Sequence, residues 1–186
     1  MALFGKQLSK YSYLMIISFF GVGFISKKMP GTVGSLVATL MAVLIVAATP
    51  NSCAIFWAIT VTTFVVGVWG CDRYIVRYRH EIDRDPKYVV IDEVCGIFCG
   101  YSMVYPIVSF LGAKPIVALF INFAMFRGFD ILKPFSIKKL EKILARNDNT
   151  VGFGIMVDDI LAAVYAALGH VVLLVLWVGY NYLVTR

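Results

Sequence analysis

Six stretches of this chain contain no Asp, Glu, Lys or Arg and are dominated by apolar side chains: Tyr11–Ile25, Ser35–Ala48, Ser52–Gly70, Val94–Leu111, Pro115–Phe126 and Ile160–Val184. A helix that crosses the hydrocarbon core of a bilayer needs roughly 20 such residues. Ser52–Gly70, Val94–Leu111 and Ile160–Val184 meet that length. Ser35–Ala48 and Pro115–Phe126 are shorter, and each reaches it only if polar residues at one end face protein or water instead of lipid. Lipid offers no partner to a backbone amide, so segments of this kind must be helical. The expectation is an all-α, polytopic membrane bundle of about five membrane-embedded helices forming a single domain over residues 1–186.

Composition agrees with the map. Of 186 residues, 60% are hydrophobic and 15% charged, and the mean hydropathy is +0.84. A soluble domain carries about 25% charged residues. These values exclude a disordered tail, a disulfide-framed miniprotein and an ordinary water-soluble enzyme. The four cysteines, Cys53, Cys71, Cys95 and Cys99, sit in or beside apolar runs. They read as small buried side chains in a reducing compartment, with no further soft ligands arranged to complete a zinc site.

Charge placement orients the bundle. Lys27 and Lys28, the segment 71–93 with Arg73, Arg77, Arg79, Arg84 and Lys87, and the segment 127–159 with Arg127, Lys133, Lys138, Lys139, Lys142 and Arg146 are basic. The intervening 49–51 and 112–114 hold one lysine between them. The positive-inside rule then places the basic segments in the cytoplasm and the neutral ones, with the C-terminus, outside. If Lys6 and Lys10 also stay inside, Tyr11–Ile25 begins and ends on the cytoplasmic side. That favours an N-terminal interfacial or re-entrant helix over a crossing.

Four polar clusters interrupt the apolar pattern, all on that one side. Pro30–Ser35 (PGTVGS) leads into an apolar helix. Its glycines let backbone approach a ligand, and the helix N-terminus offers free N–H groups to an anion; a capping turn through Thr32 or Ser35 explains the motif equally. Asp92 and Glu93 stand side by side at the mouth of the next span. In Phe126–Pro134 (FRGFDILKP), Arg127, Asp130 and Lys133 recur every three residues, as an ion-pair ladder would, but on a face bordered by membrane. Asp158 and Asp159 form a second adjacent pair, where like charges repel unless a cation or proton is shared.

Asp92, Glu93, Asp130, Asp158 and Asp159 are therefore five hard oxygen donors. They suit Mg²⁺ or Mn²⁺ and not zinc. With Arg127 and Lys133 they make the equipment for holding and attacking a phosphate. Neither histidine joins the set: His80 reads as a solvated loop residue and His170 as a satisfied interior one.

In order and spacing, PGTVGS, Asp92–Gly96 (DEVCG), FRGFDILKP and Gly152–Asp159 (GFGIMVDD) resemble the motifs of the phosphatidylglycerophosphatase A family, from about Gly21 to about Ala167. The resemblance implies a Mg²⁺-dependent phosphatase of the bacterial inner membrane, multi-pass and with its active site facing the cytoplasm. Its substrate would be the phospholipid phosphatidylglycerophosphate, its product phosphatidylglycerol, and its partner the bilayer, with no nucleic acid. Carried over motif by motif, Asp92, Glu93, Asp130, Asp158 and Asp159 would be catalytic and hold metal. Arg127, Lys133, Thr32, Gly34 and Ser35 would bind phosphate. The chain departs from the pattern at Ser26-Lys27-Lys28-Met29, at Ser136 and at Ala163, and none of these removes an acidic residue. The sequence allows a homo-oligomer without deriving one. The alternatives are a small membrane transporter or channel, or a non-enzymatic lipid-binding membrane protein.

Overall fold

The computed structural model describes residues 2–49, 52–78, 86–133 and 151–184. Among them are six α-helices, a single 3₁₀ turn and no strand: α1 (Ala2–Ile17), the turn Val22–Phe24, α2 (Pro30–Ala48), α3 (Ser52–Tyr78), α4 (Ile91–Phe110), α5 (Pro115–Leu132) and α6 (Val151–Val184). The five helices α2–α6 are each long and apolar enough to cross a membrane. Arg79, His80 and Arg84, and Lys138, Lys139, Lys142 and Arg146, lie outside the described residues.

Prolines set two helix starts. Pro30 and Pro115 occupy the first turns of α2 and α5, where φ is pre-set and the missing N–H costs nothing. At its other end α5 stops in a left-handed residue, Lys133, at φ 41°. The following Pro134 disfavours further helix there.

α4 is the hub. Of its span 61% is buried, against 22–33% for the other four. Small residues let its neighbours approach, as they do wherever lipid supplies no hydrophobic drive. A Cβ at Gly100 would lie 2.8 Å from Asn122 Oδ1 of α5 and 3.4 Å from the Ala163 carbonyl of α6. One at Gly96 would overlap the Phe126 ring and reach within 3.2 Å of the Asp159 carbonyl. The α4–α5–α6 seam is thereby fixed within two turns of Asp92.

α3 and α6 overshoot the bundle together. With 27 and 34 residues they are the longest helices. The end of α3 lies along the start of α6, with Gly67 against Met156 and Gly152 against the Val68 carbonyl. Asp72 Oδ1 accepts the Gly152 N–H at 2.7 Å.

The N-terminal apolar stretch does not form one helix. α1 ends at Ile17, and Phe19, Phe20 and Gly21 all take positive φ (47°, 57° and 89°) before the 3₁₀ turn. Gly21 tolerates that conformation freely; the two phenylalanines are held in it by the turn, whose Gly21 N–H donates to Ser18 Oγ at 3.1 Å. α1 lines the overhanging end of α3: Tyr13 packs on Trp69 at 5.4 Å between centroids, and Lys10 Nζ lies 4.9 Å over the Tyr78 ring. The short helix accordingly flanks the bundle at the acidic end.

Candidate active site

A cavity of about 410 Å³ opens where α2 and α4 begin, α5 ends and α6 passes. All five carboxylates named from the sequence line it, with Arg127, Lys133 and Thr32.

The five carboxylates divide into two groups. One oxygen each from Asp92, Glu93 and Asp159 lie within 4.8 Å of one another. Asp159 is only 5% exposed. Glu93 Oε2 and Asp159 Oδ2 are buried with no hydrogen-bond partner among the described residues. Three carboxylates this close repel unless something positive lies between them. All-oxygen donors with unused lone pairs fit a hard divalent cation such as Mg²⁺ or Mn²⁺. That fit rests on donor type, spacing and the two orphaned oxygens.

Asp130 and Asp158 stand apart from this trio, each engaged by a cation. Arg127 Nη1 donates to Asp130 Oδ2 at 2.7 Å, one helical turn away on α5. Lys133 Nζ bridges from the end of α5 to Asp158 Oδ2 on α6 at 2.5 Å. Consecutive residues on a helix diverge by about 100°, so Asp158 and Asp159 point to different neighbours. Asp159 turns inward to α4 and Asp158 toward α5.

Arg127 joins the two groups. Besides Asp130 it lies 4.0 Å from Glu93 Oε1, and its Nη2 donates to Thr32 Oγ1 at 3.4 Å. The guanidinium is thus held by helices α2, α4 and α5, with Nε buried and without a partner among the described residues. A planar cation fixed in this way beside a carboxylate trio has the chemistry to receive a phosphate.

The PGTVGS motif takes a different form from the expected turn ahead of a helix. Pro30 starts α2, so the whole motif is helical, and its cap residue Met29 makes no side-chain capping bond. Thr32 reaches the cavity. Gly34 and Ser35 do not: Gly34 packs against the Val90 side chain, and the Ser35 hydroxyl donates to the Gly31 carbonyl at 2.8 Å. Gly34 thus lets the segment leading into α4 approach, while Gly31 lines the cavity beside Glu93. A Cβ at Gly31 would overlap the Glu93 carboxylate.

Sequence reasoning missed three features here. Gly31 was legible only as part of a glycine motif, although its three-residue spacing from Gly34 is that of a helix face. Asp72 carried a usable signal, a carboxylate at the end of an apolar helix. Lys28 and Lys87 line the cavity mouth, whereas the sequence assigned them to orientation. His170 corrects an expectation: it is fully buried, yet neither ring nitrogen has a partner among the described residues. It lines a separate, mainly apolar cavity of about 540 Å³ with Lys114 and Trp177, so it lacks the satisfying contacts expected of it.

Comparison with known proteins gives consistent results. The sequence pattern of the family described as phosphatidylglycerophosphatase A matches residues 15–174. A phosphatidylglycerophosphatase A of Haemophilus influenzae is 35% identical over 166 residues, covering 88% of this chain and 91% of that protein. A Bacteroides thetaiotaomicron protein provisionally described as a phosphatidylinositol-3-phosphatase is 31% identical over 150 residues, covering 79% of this chain and 84% of its own. No solved structure matches the chain.

Proposed function

Since this chain belongs to the phosphatidylglycerophosphatase A family and is a phosphatase, we propose that the acidic cavity hydrolyses the terminal phosphomonoester of phosphatidylglycerophosphate with the help of Mg²⁺. The observation that carries the reading is the convergence of Asp92, Glu93 and Asp159 beside the anchored Arg127. Those three carboxylates would hold the cation, with Mn²⁺ as a substitute. When bound, it supplies a Lewis acid for the phosphate oxygens and favours ionisation of water.

The chain's own groups do the rest. Arg127 receives the phosphoryl oxygens and offsets the charge that builds on them in an in-line displacement. Asp130 and Thr32 hold that guanidinium in one orientation. Asp158 orients the attacking water and accepts its proton, while Lys133 balances the charge at Asp158 and adds a second cation beside the phosphate. The water oxygen forms the new bond to phosphorus as the bond to the glycerol oxygen breaks; the leaving glycerol oxygen takes a proton from solvent water, and Asp158 returns the proton it accepted to solvent. The acyl chains remain among lipid, with only the headgroup entering. The excess of Lys and Arg in these segments supports a cytoplasmic orientation for this end of the bundle, and the family's bacterial relative supports an inner-membrane setting.

The test is phosphate release from phosphatidylglycerophosphate in detergent, with Mg²⁺ and with EDTA. Release that EDTA stops and Mg²⁺ restores is expected. Release indifferent to chelation would remove the metal role, and no release would favour a transporter or a lipid-binding protein without turnover. A phosphatidylinositol monophosphate arm reads the headgroup preference that the second relative raises.

A further inference from the structure

The two cations deep in the cavity are already engaged, Arg127 by Asp130 and Lys133 by Asp158. Lys28 and Lys87 differ. Both are exposed, both line the mouth of the same cavity, and neither makes an ion pair or hydrogen bond to a described residue. They stand nearly sixty residues apart in the chain, yet the segments that carry them are docked on one another. Phe24 stacks on Tyr88 at 5.2 Å between ring centroids. Gly23 packs so tightly on the Tyr88 carbonyl that a Cβ would overlap it. The Val90 N–H donates to the Ile17 carbonyl at 3.0 Å, and the Tyr88 hydroxyl lies 3.0 Å from that of Tyr74. The rim that presents the two lysines is therefore a packed structure.

The substrate class read above carries two phosphates, a terminal monoester and a diester that joins its glycerol to diacylglycerol. When the monoester sits at Arg127 and the carboxylate trio, the diester is left one glycerol away, toward the mouth. A diester bears a single negative charge, for which the compact ammonium of lysine suffices without a bidentate fork. We propose that Lys28 and Lys87 bind this second phosphate and so select lipid phosphomonoesters that also carry a phosphodiester. The inference rests on the acidic cavity being the hydrolytic site, and it adds what chooses the headgroup.

The test compares kcat/KM for phosphatidylglycerophosphate with that for phosphatidic acid, a lipid phosphomonoester without a diester. Micelles of an uncharged detergent remove any effect of neighbouring anionic lipid. The native protein is expected to prefer the two-phosphate lipid. The double variant Lys28→Gln/Lys87→Gln is expected to lower that preference about tenfold, mainly through KM, as the loss of two exposed charge contacts would. Lys28→Arg/Lys87→Arg restores it and controls for folding. A preference ratio that the Gln variant leaves unchanged overturns the proposal, whether both lipids are affected in parallel or neither is. Native protein that turns over both lipids equally also overturns it while leaving the hydrolytic reading intact. Release from neither lipid overturns both readings.

Discussion

Gly31 of α2 lies directly against the Glu93 carboxylate of α4, with no room for a methyl group between them. The contact sets where one member of the carboxylate trio stands. Gly31→Ala must push the Glu93 carboxylate aside, a shift the end of a flexible side chain can make, but one that moves it out of the trio. The Mg²⁺ concentration for half-maximal activity should rise about tenfold or more. Gly128→Ala, where a Cβ would meet nothing within 4 Å, should leave that concentration within about twofold. Equal metal titrations for the two variants would contradict the assignment of Glu93.

Asp159→Asn separates catalysis from folding. Removing one of three close carboxylates weakens ion binding and should lower kcat at least about 100-fold. The same change relieves like-charge repulsion when no ion is present. In EDTA the variant should therefore melt no lower than the native protein. Saturating Mg²⁺ should stabilise native protein by ~2–3 kcal/mol at a hundredfold excess over Kd, and the variant by much less. Thermal melting with and without Mg²⁺ reads both.

Arg127→Lys keeps the charge but loses the fork that reaches Asp130 and Thr32 together. A fall in kcat of about 100-fold with a smaller change in KM is expected, because the fixed orientation matters most in the transition state. A lysine that performed as well would show that charge alone suffices at this position.

Lys133 sits in a left-handed conformation, φ 41° and ψ 77°, that favours glycine. Lys133→Gly should relieve about 1 kcal/mol of backbone strain while abolishing the ion pair to Asp158. Activity should drop at least about tenfold, yet denaturant unfolding should show less destabilisation than for Lys133→Ala. Identical stabilities for Gly and Ala would argue against strain at this cap.

Asp72 ties the start of α6 to α3 through the Gly152 N–H at 2.7 Å. Asp72→Ala should cost about 1–2 kcal/mol, as loss of a side-chain acceptor at a helix start does. Asp72→Asn retains an acceptor and should recover most of it. Urea or thermal unfolding checks the order native, Asn, Ala.

The helices were the most legible part of the chain. Uncharged runs predict α2–α6 because water and lipid sort residues before any neighbour is chosen, and charge punctuation marked the acidic end. Even there, Pro30–Ser35 reads from sequence as a turn ahead of the helix, since Pro and Gly signal turns in soluble chains. Within the bundle the same glycines serve close helix packing. The acidic residues were all visible, but their division was not. Position along a helix gives Asp158 and Asp159 the same depth; only the placement of α4 and α5 around α6 decides that one faces Glu93 and the other Lys133. The engagement of Asp130 by Arg127 followed the three-residue spacing, whereas the reach of Arg127 to Thr32, 95 positions away, needed the fold. The stop of α1 at Ile17 was hidden because the residues after it are as apolar as those before.

The joint overshoot of α3 and α6 bears on how the reaction ends. Asp158 and Asp159 lie seven and eight residues beyond Val151, about 10–12 Å along α6 at 1.5 Å per residue. On the proposed mechanism the phosphomonoester would therefore be cut near the level where the apolar spans begin. The two products then belong to different phases: the phosphate ion partitions to water and the diacyl lipid to the bilayer. Recapture would require both to return to one small cavity from separate media, so this siting slows product rebinding, while the free energy of hydrolysis sets the direction of the reaction.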